Sequence, residues 1–243
     1  MVNSLINVNL KVVIMDTDYY ALQSINSYLA WDRRTRVTCM CESLEEMWSH
    51  LNRTPLAELP NVIVLDADNI GGADVLAQEL DRLRRRIKNL VVICMGRAIN
   101  PPLIEAAAQH GARGYFIKTE VRLQIAWAIV FALEHDFTAS PGVMSVAERS
   151  DVARLRKAVA LPRQRQYPEL TERIRQAVEL CVLRGMPAQL AADEMGISLH
   201  TIRSYIKEAY RILEAYDETK YPEDMSPQER AFMRLTSFVK GTE

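Results

Sequence analysis

The chain has 243 residues, 49% hydrophobic and 25% charged, with 30 Lys and Arg against 31 Asp and Glu and a net charge of −1. That length and composition fit a globular protein of one large domain or two ordinary ones, and the near-neutral charge excludes a basic field over the whole surface. The longest apolar run, Ile125–Leu133, falls well short of the roughly 20 residues a membrane helix needs.

The first ten residues lack the cationic start and long apolar core of a signal peptide, so the expected location is the cytoplasm, with no membrane partner. Cys39, Cys41, Cys94 and Cys181 lack metal-ligand spacing, and His50, His110, His135 and His200 are not grouped with them. They read as reduced, structural thiols with no required cofactor.

The apolar run Leu10–Met15 predicts a buried strand ending at Asp16. Tyr19–Ala30 follows as an amphipathic helix with Leu22, Ile25 and Leu29 on one side. Val37–Cys41, Asn61–Leu65, Leu90–Met95 and Gly114–Ile117 read as four more strands. Helices are expected between them at Leu44–Leu51, Val75–Ile87 and Pro101–His110, and after the last strand at Val121–His135. Strict strand–helix alternation with continuously apolar strands predicts a five-stranded parallel sheet, doubly wound in the flavodoxin manner. In that α/β fold, chemistry gathers at the carboxyl ends of the strands. Asp16, Asp66 and Lys118 follow strands one, three and five and should therefore converge. Two acids and a lysine in one crevice suit phosphoryl chemistry: an acceptor carboxylate, a second carboxylate to help hold Mg²⁺, and an ammonium for the phosphate.

Further on, Ala188–Met195 and Leu199–Ala215 read as two helices joined by Gly196-Ile197-Ser198, which supplies a turn glycine, an apolar plug and an N-cap. Ile202, Ile206, Ala209 and Leu213 make one buried stripe, and Ala192 lets the helices approach closely. His200, Thr201, Arg203, Ser204, Lys207 and Arg211 lie on or beside the opposite, polar face. This is the build of a helix-turn-helix that reads double-stranded DNA. Arg173, Arg175 and Gln189 are candidates for phosphate contacts. Residues 149–211 carry twelve Lys or Arg against seven Asp or Glu, which places the local positive charge near this motif.

The segments VVIMDTD, VIVLDAD and GARGYFIK, in this order and spacing, resemble the receiver domain of bacterial response regulators. The stretch ELTERIRQAVELCVLRGMPAQLAADEMGISLHTIRSYI resembles the LuxR-type helix-turn-helix that follows the receiver in NarL/FixJ-type regulators. The resemblance covers roughly residues 10–215. It implies a transcription regulator rather than an enzyme. Asp66 would be the phospho-acceptor, Asp16 and Asp18 the acidic pocket, Lys118 the phosphate-pairing group and Tyr115 the aromatic switch. Mg²⁺, if the chain is phosphorylated, would sit at Asp16 and Asp66. A histidine kinase would be the phosphoryl donor, and RNA polymerase a partner if the protein activates transcription.

The sequence departs from that family at three places. Thr17 stands where a second acid is usual. Gly96 stands where a Thr or Ser hydroxyl would couple the phosphoryl group to Tyr115, and Ile70 replaces a proline. Together they make an atypical receiver.

These readings divide the chain into a receiver-like domain at 1–138, a partly helical linker at 139–168, an all-α helix-turn-helix domain at 169–216 and a C-terminal extension with a helix at 217–243. Ser140-Pro141-Gly142 should break structure, and a connecting helix is expected over Ala147–Ala160. The helix at 121–135 is apolar all round, which predicts a surplus face for a homodimer or the linker. In the extension, Ser226-Pro227-Gln228-Glu229 has the form of a capping box. Two other functions compete with the main reading. Asp16-Thr17-Asp18 also matches the start of a haloacid-dehalogenase-type phosphatase motif, and a non-DNA adaptor would use both domains for protein contacts.

Overall fold

A computed structural model describes residues 8–217 and 219–239. The chain divides into two compact units, one spanning Asn7–Leu161 and the other taking in Pro162–Glu243. In the first unit, β1 (Leu10–Met15), β2 (Thr35–Cys41), β3 (Val62–Asp66), β4 (Val91–Gly96) and β5 (Gly114–Ile117) are parallel neighbours in the order β2-β1-β3-β4-β5. The connecting helices are α1 (Tyr19–Ala30), α2 (Leu44–Arg53), α3 (Ala73–Arg86) and α4 (Pro101–Gln109). Each follows a local signal. Asp18 caps α1, Ser43 caps α2, and Pro101 and Pro102 open α4, where no backbone donor is needed. The three arginines that end α3 complement its dipole.

The sheet is buried on both faces, which is why its strands read as unbroken apolar runs. Val13, Met15, Ile63, Leu65, Val92 and Cys94 share one core with side chains of α2, α3 and α4. Val12, Ile14, Val62 and Val64 point the other way and are equally buried.

The sheet has seven strands, not five. Residues 139–161, read from sequence as linker, belong to this unit. Strands β6 (Thr138–Ala139) and β7 (Val159–Ala160) extend the sheet beyond β5, both parallel. Each has two residues, too short for any periodic signal. The expected break at Ser140-Pro141-Gly142 is instead a helix start, because Pro141 occupies the first turn of α7 (Pro141–Ala147). The expected helix at 147–160 is only the short α8 (Ala153–Arg156). Arg154 there bonds Asp136 and the carbonyls of Ala108 and Asp136, which ties the extension back to the sheet.

The apolar helix after β5 is also broken. A four-residue turn of helix, α5 (Lys118–Val121), is followed by α6 (Ile125–Leu133). Six of the nine residues of α6 are buried within the single chain, and it packs against α1. Trp127 lies beneath the Arg34 guanidinium, 3.8 Å from the ring centroid. Arg34 itself is buried and pairs with buried Asp32 at 2.7 Å. Most of the apolar surface of this helix is thus covered inside the chain, with Trp127, Phe131 and Leu133 half-buried.

In the second unit, α9 (Glu172–Val178) runs into one π-helical turn at Glu179–Leu183. Then come α10 (Ala188–Met195) and α11 (Leu199–Tyr216). Gly196 closes α10 in the left-handed region, φ 63°, and Ser198 caps α11 by accepting from the Thr201 N–H. Ala191, Ala192, Met195 and Ile202 form the core of this pair, and Ala209 and Leu213 continue the buried stripe of α11. The extension closes the unit. Its helix α12 (Pro227–Leu235) starts with the expected capping box and packs against α11 and the π-helical turn. Backbone bonds from Arg165 to Ser237 and from Val239 to Arg163 clip it to the start of the unit. Asp217 lies buried among Arg165, Thr219 and Tyr221. Residues 218 and 240–243 of the extension lie outside the described residues.

Candidate functional site: a buried carboxylate pocket and an exposed cationic helix face

Because β1, β3 and β5 are parallel strands of one sheet, β1 beside β3 and only β4 between β3 and β5, their carboxyl ends bring Asp16, Asp66 and Lys118 together as the sequence predicts. Lys118 Nζ lies 2.7 Å from Asp16 Oδ2 and 3.0 Å from Asp66 Oδ1. Both carboxylates are buried. The other oxygen of Asp66 accepts from Asn69 Nδ2 at 2.9 Å and Thr17 Oγ1 at 3.3 Å. The other oxygen of Asp16 accepts from the Asp18 N–H at 3.0 Å. Every carboxylate oxygen in the pocket therefore has a partner. Burial pushes the Asp16 carboxyl above the usual range, more strongly than its bond to Lys118 lowers it. Burial also acts to lower the Lys118 ammonium, but its two carboxylate bonds prevail and hold it above its ordinary value.

Asp18 is placed differently from the sequence expectation. Its carboxylate accepts from the Tyr20 and Ala21 N–H groups as the N-cap of α1. The acidic pocket is thus Asp16 and Asp66, with Thr17 supplying a hydroxyl. Among the described residues no group of three His, Cys, Asp or Glu side chains converges on one point. Mg²⁺ is commonly held by one or two carboxylates with waters and phosphate oxygens completing its shell. Asp16 and Asp66 fit that minimum. The same placement of Asp18 removes the second acid that a dehalogenase-type phosphatase would use.

Tyr115 is fully buried. Its hydroxyl has no hydrogen-bond partner among the described residues. The reason lies at position 96: a Cβ added to Gly96 would stand 2.6 Å from that hydroxyl oxygen. The absent side chain is what makes room for the ring to point inward. Asp68, next to this position, accepts from the Arg97 N–H at 2.6 Å and attracts its guanidinium at 3.7 Å. Ile70 is buried in the core. Asn69 and Asp68 are the pocket residues that the sequence reading missed. Their signal was the turn-forming run Asp66-Ala67-Asp68-Asn69 after an apolar strand.

In the second unit, α11 exposes His200, Arg203, Ser204 and Lys207. Arg203 and Lys207 make no ion pair among the described residues, whereas Arg211 is held by Glu208 at 2.6 and 3.0 Å. The Thr201 hydroxyl bonds Ser198 Oγ at 2.8 Å, and Ser204 bonds back to the His200 carbonyl. Of the three outlying candidates, Arg175 reaches the Tyr167 and Leu170 carbonyls, Gln189 bonds Asp193 at 3.1 Å, and Arg173 approaches Gln176 at 3.5 Å. The exposed, unpaired part of the cationic face is therefore narrower than the sequence suggested and centres on Arg203 and Lys207.

No protein-family profile matches the chain, and no curated protein matches it. Solved structures do. The chain is similar to response regulators. RcsB of Salmonella typhimurium is 18% identical over 88% of this chain and 95% of its own, at a TM-score of 0.49. RcsB of Salmonella enterica serovar Typhimurium bound to promoter rprA with a phosphomimetic is 18% identical over 94% and 99%, at 0.46. The receiver domain of the putative response regulator NarL from Mycobacterium tuberculosis is 22% identical over 52% and 98%, at 0.41. Likeness at this level assigns no residue a role; the pocket and the face of α11 must do that themselves.

Proposed function

We propose that this chain is a DNA-binding transcription regulator, not an enzyme, with an atypical receiver in its first unit. The observation that carries the reading is the unpaired pair Arg203 and Lys207, exposed on a helix that a glycine turn and a serine cap hold against α10. A helix so held presents those side chains to a major groove, with His200, Thr201 and Ser204 beside them. Arg203 is assigned to a base edge and Lys207 to phosphate. Solved RcsB structures with DNA support the reading. So does the structure of the isolated RcsB receiver in the presence of a phosphomimetic.

In the first unit, Asp66 is assigned as the phosphoryl acceptor, with Lys118 pairing the phosphoryl oxygens and Asp16 helping to hold Mg²⁺. Tyr115 is already inward, and position 96 offers no hydroxyl to a phosphoryl group. Phosphorylation is therefore uncoupled from Tyr115. A homodimer on paired half-sites, a cytoplasmic location, a histidine kinase as donor and contact with RNA polymerase complete the proposal.

Selection of binding sites from random DNA by the full chain tests the first part: one enriched motif is expected, and an unenriched pool would refute it. Intact-mass spectrometry after incubation with acetyl phosphate and Mg²⁺ tests the second. A single phosphoryl adduct is expected, absent in Asp66→Asn, with unchanged affinity for the selected site. A large rise in affinity on phosphorylation would show that Tyr115 is coupled after all.

A further inference from the structure

Cys39 and Cys41 lie two residues apart on β2 and therefore point to the same face of the sheet. Their sulfurs are 3.5 Å apart. Both thiols are free, with Cys41 buried and Cys39 half-exposed. The strand that carries them is the last at its edge of the described sheet. It is also irregular just before the pair. Val12 stands opposite Val37 and Val13 opposite Cys39, so Thr38 is an extra residue in the ladder. Such a bulge bends a strand and loosens its pairing.

From this geometry we infer that Cys39 and Cys41 form a reversible redox pair that a peroxide closes to an intrachain disulfide. The Cys39 thiolate attacks one peroxide oxygen and breaks the O–O bond, giving a sulfenic acid and hydroxide. The Cys41 thiol then attacks the Cys39 sulfur and expels water. The proton Cys39 released on ionising neutralises the hydroxide, so two thiols are oxidised and one hydrogen peroxide is reduced to two waters. Cys39 takes the first step because it is the accessible sulfur.

The same geometry sets the character of the bond. Two residues along a regular strand span about 6.6 Å between Cα atoms. That is near the upper end of the roughly 4.4–6.8 Å range of disulfides. Closing the sulfurs to bonding distance requires the strand to pucker, which the bulge at Thr38 permits. A disulfide formed under strain is readily reduced, the property of regulatory rather than structural bridges. Burial and the neighbouring Cys39 push the Cys41 thiol up to about 12, so the closing step is the slower of the two. The strand end is also tied to the pocket, since the Cys41 carbonyl accepts from the Asp16 N–H at 3.1 Å. The redox inference stands whether or not the chain binds DNA.

The experiment uses the full reduced chain, exposed to hydrogen peroxide, then denatured and alkylated. Trypsin releases Val37–Arg53, which contains both cysteines and no internal Lys or Arg. The expected product is this peptide short of two hydrogens, unalkylated, and returned to two alkylated thiols by dithiothreitol. Cys94 and Cys181, both buried, stay alkylatable. In Cys41→Ser, Cys39 should run on to sulfinic and sulfonic acid. In Cys39→Ser, Cys41 should stay reduced. Over-oxidation of Cys39 in the unaltered chain beside a free Cys41 would overturn the inference. So would a disulfide joining two chains, or no loss of thiol from this peptide.

Discussion

The two candidate sites use charge in opposite ways. In the carboxylate pocket Lys118 bonds both acids, and every carboxylate oxygen is matched by a donor of the same unit. On α11, Arg203 and Lys207 face solvent and pair with nothing among the described residues. A buried charge must be matched inside the fold, because leaving it unmatched costs several kcal/mol. An exposed cation has no such need, so its freedom carries information about an external partner only where its neighbours have found internal ones. Arg211 beside Glu208, and Arg175 on two carbonyls, are those neighbours.

The contrast breaks first at Lys118. Replacing it by Met leaves two buried carboxylates facing each other and should cost about 3–5 kcal/mol at neutral pH, read by denaturant unfolding. The pH dependence has a definite sign. Asp16 is already raised in the folded chain, so protonating it stabilises the fold relative to the unfolded state. Its contribution is fullest below the ordinary carboxylate value and is lost as pH rises through the raised one. The Lys118→Met deficit should therefore shrink as pH falls through the carboxylate range. A deficit independent of pH would mean the pocket is held by packing rather than charge.

Gly96→Ser sharpens the account of Tyr115. The new Cβ meets the tyrosine hydroxyl, and overpacking of this kind costs about 1–3 kcal/mol. Tyr115 fluorescence or proton exchange should report the ring moving outward; an unmoved ring with unchanged stability would contradict the crowding. On α11, Arg203→Ala should cost about 1–3 kcal/mol in discrimination between the selected site and random DNA. Arg211→Ala should change discrimination little, since Glu208 already holds that guanidinium. Equal losses from both would erase the distinction between paired and free cations. The smallest effect is Tyr115→Phe. It removes a buried hydroxyl that bonds nothing, so stability should be unchanged or higher by up to about 1 kcal/mol. A clear loss would reveal a partner for the hydroxyl.

The pocket was legible because apolar strands ending in Asp16, Asp66 and Lys118 have few ways to lie in a parallel sheet. The helix-turn-helix was legible because Gly196 and Ser198 are local conformational signals, and both act as read. What the sequence hid was the choice between equally good local partners. Asp18 can serve a pocket or cap a helix, and it caps α1. Arg175 can reach DNA or a carbonyl, and it takes the carbonyls. No sequence pattern singles out Asp32 and Arg34, yet they are buried as a pair. Strands of two residues, β6 and β7, carry no periodicity at all. In each case tertiary context decides, and single-sequence patterns do not contain it.

The most direct test is fluorescence anisotropy of the full chain on its selected DNA site and on a shuffled duplex, across a salt series, for the unaltered protein and Arg203→Ala/Lys207→Ala. The account predicts tight, salt-sensitive binding that prefers the selected site, and its loss in the double variant while the fold stays intact by circular dichroism. Binding that survives the double substitution, or no DNA binding by the unaltered chain, would contradict the assignment of α11 as the recognition helix.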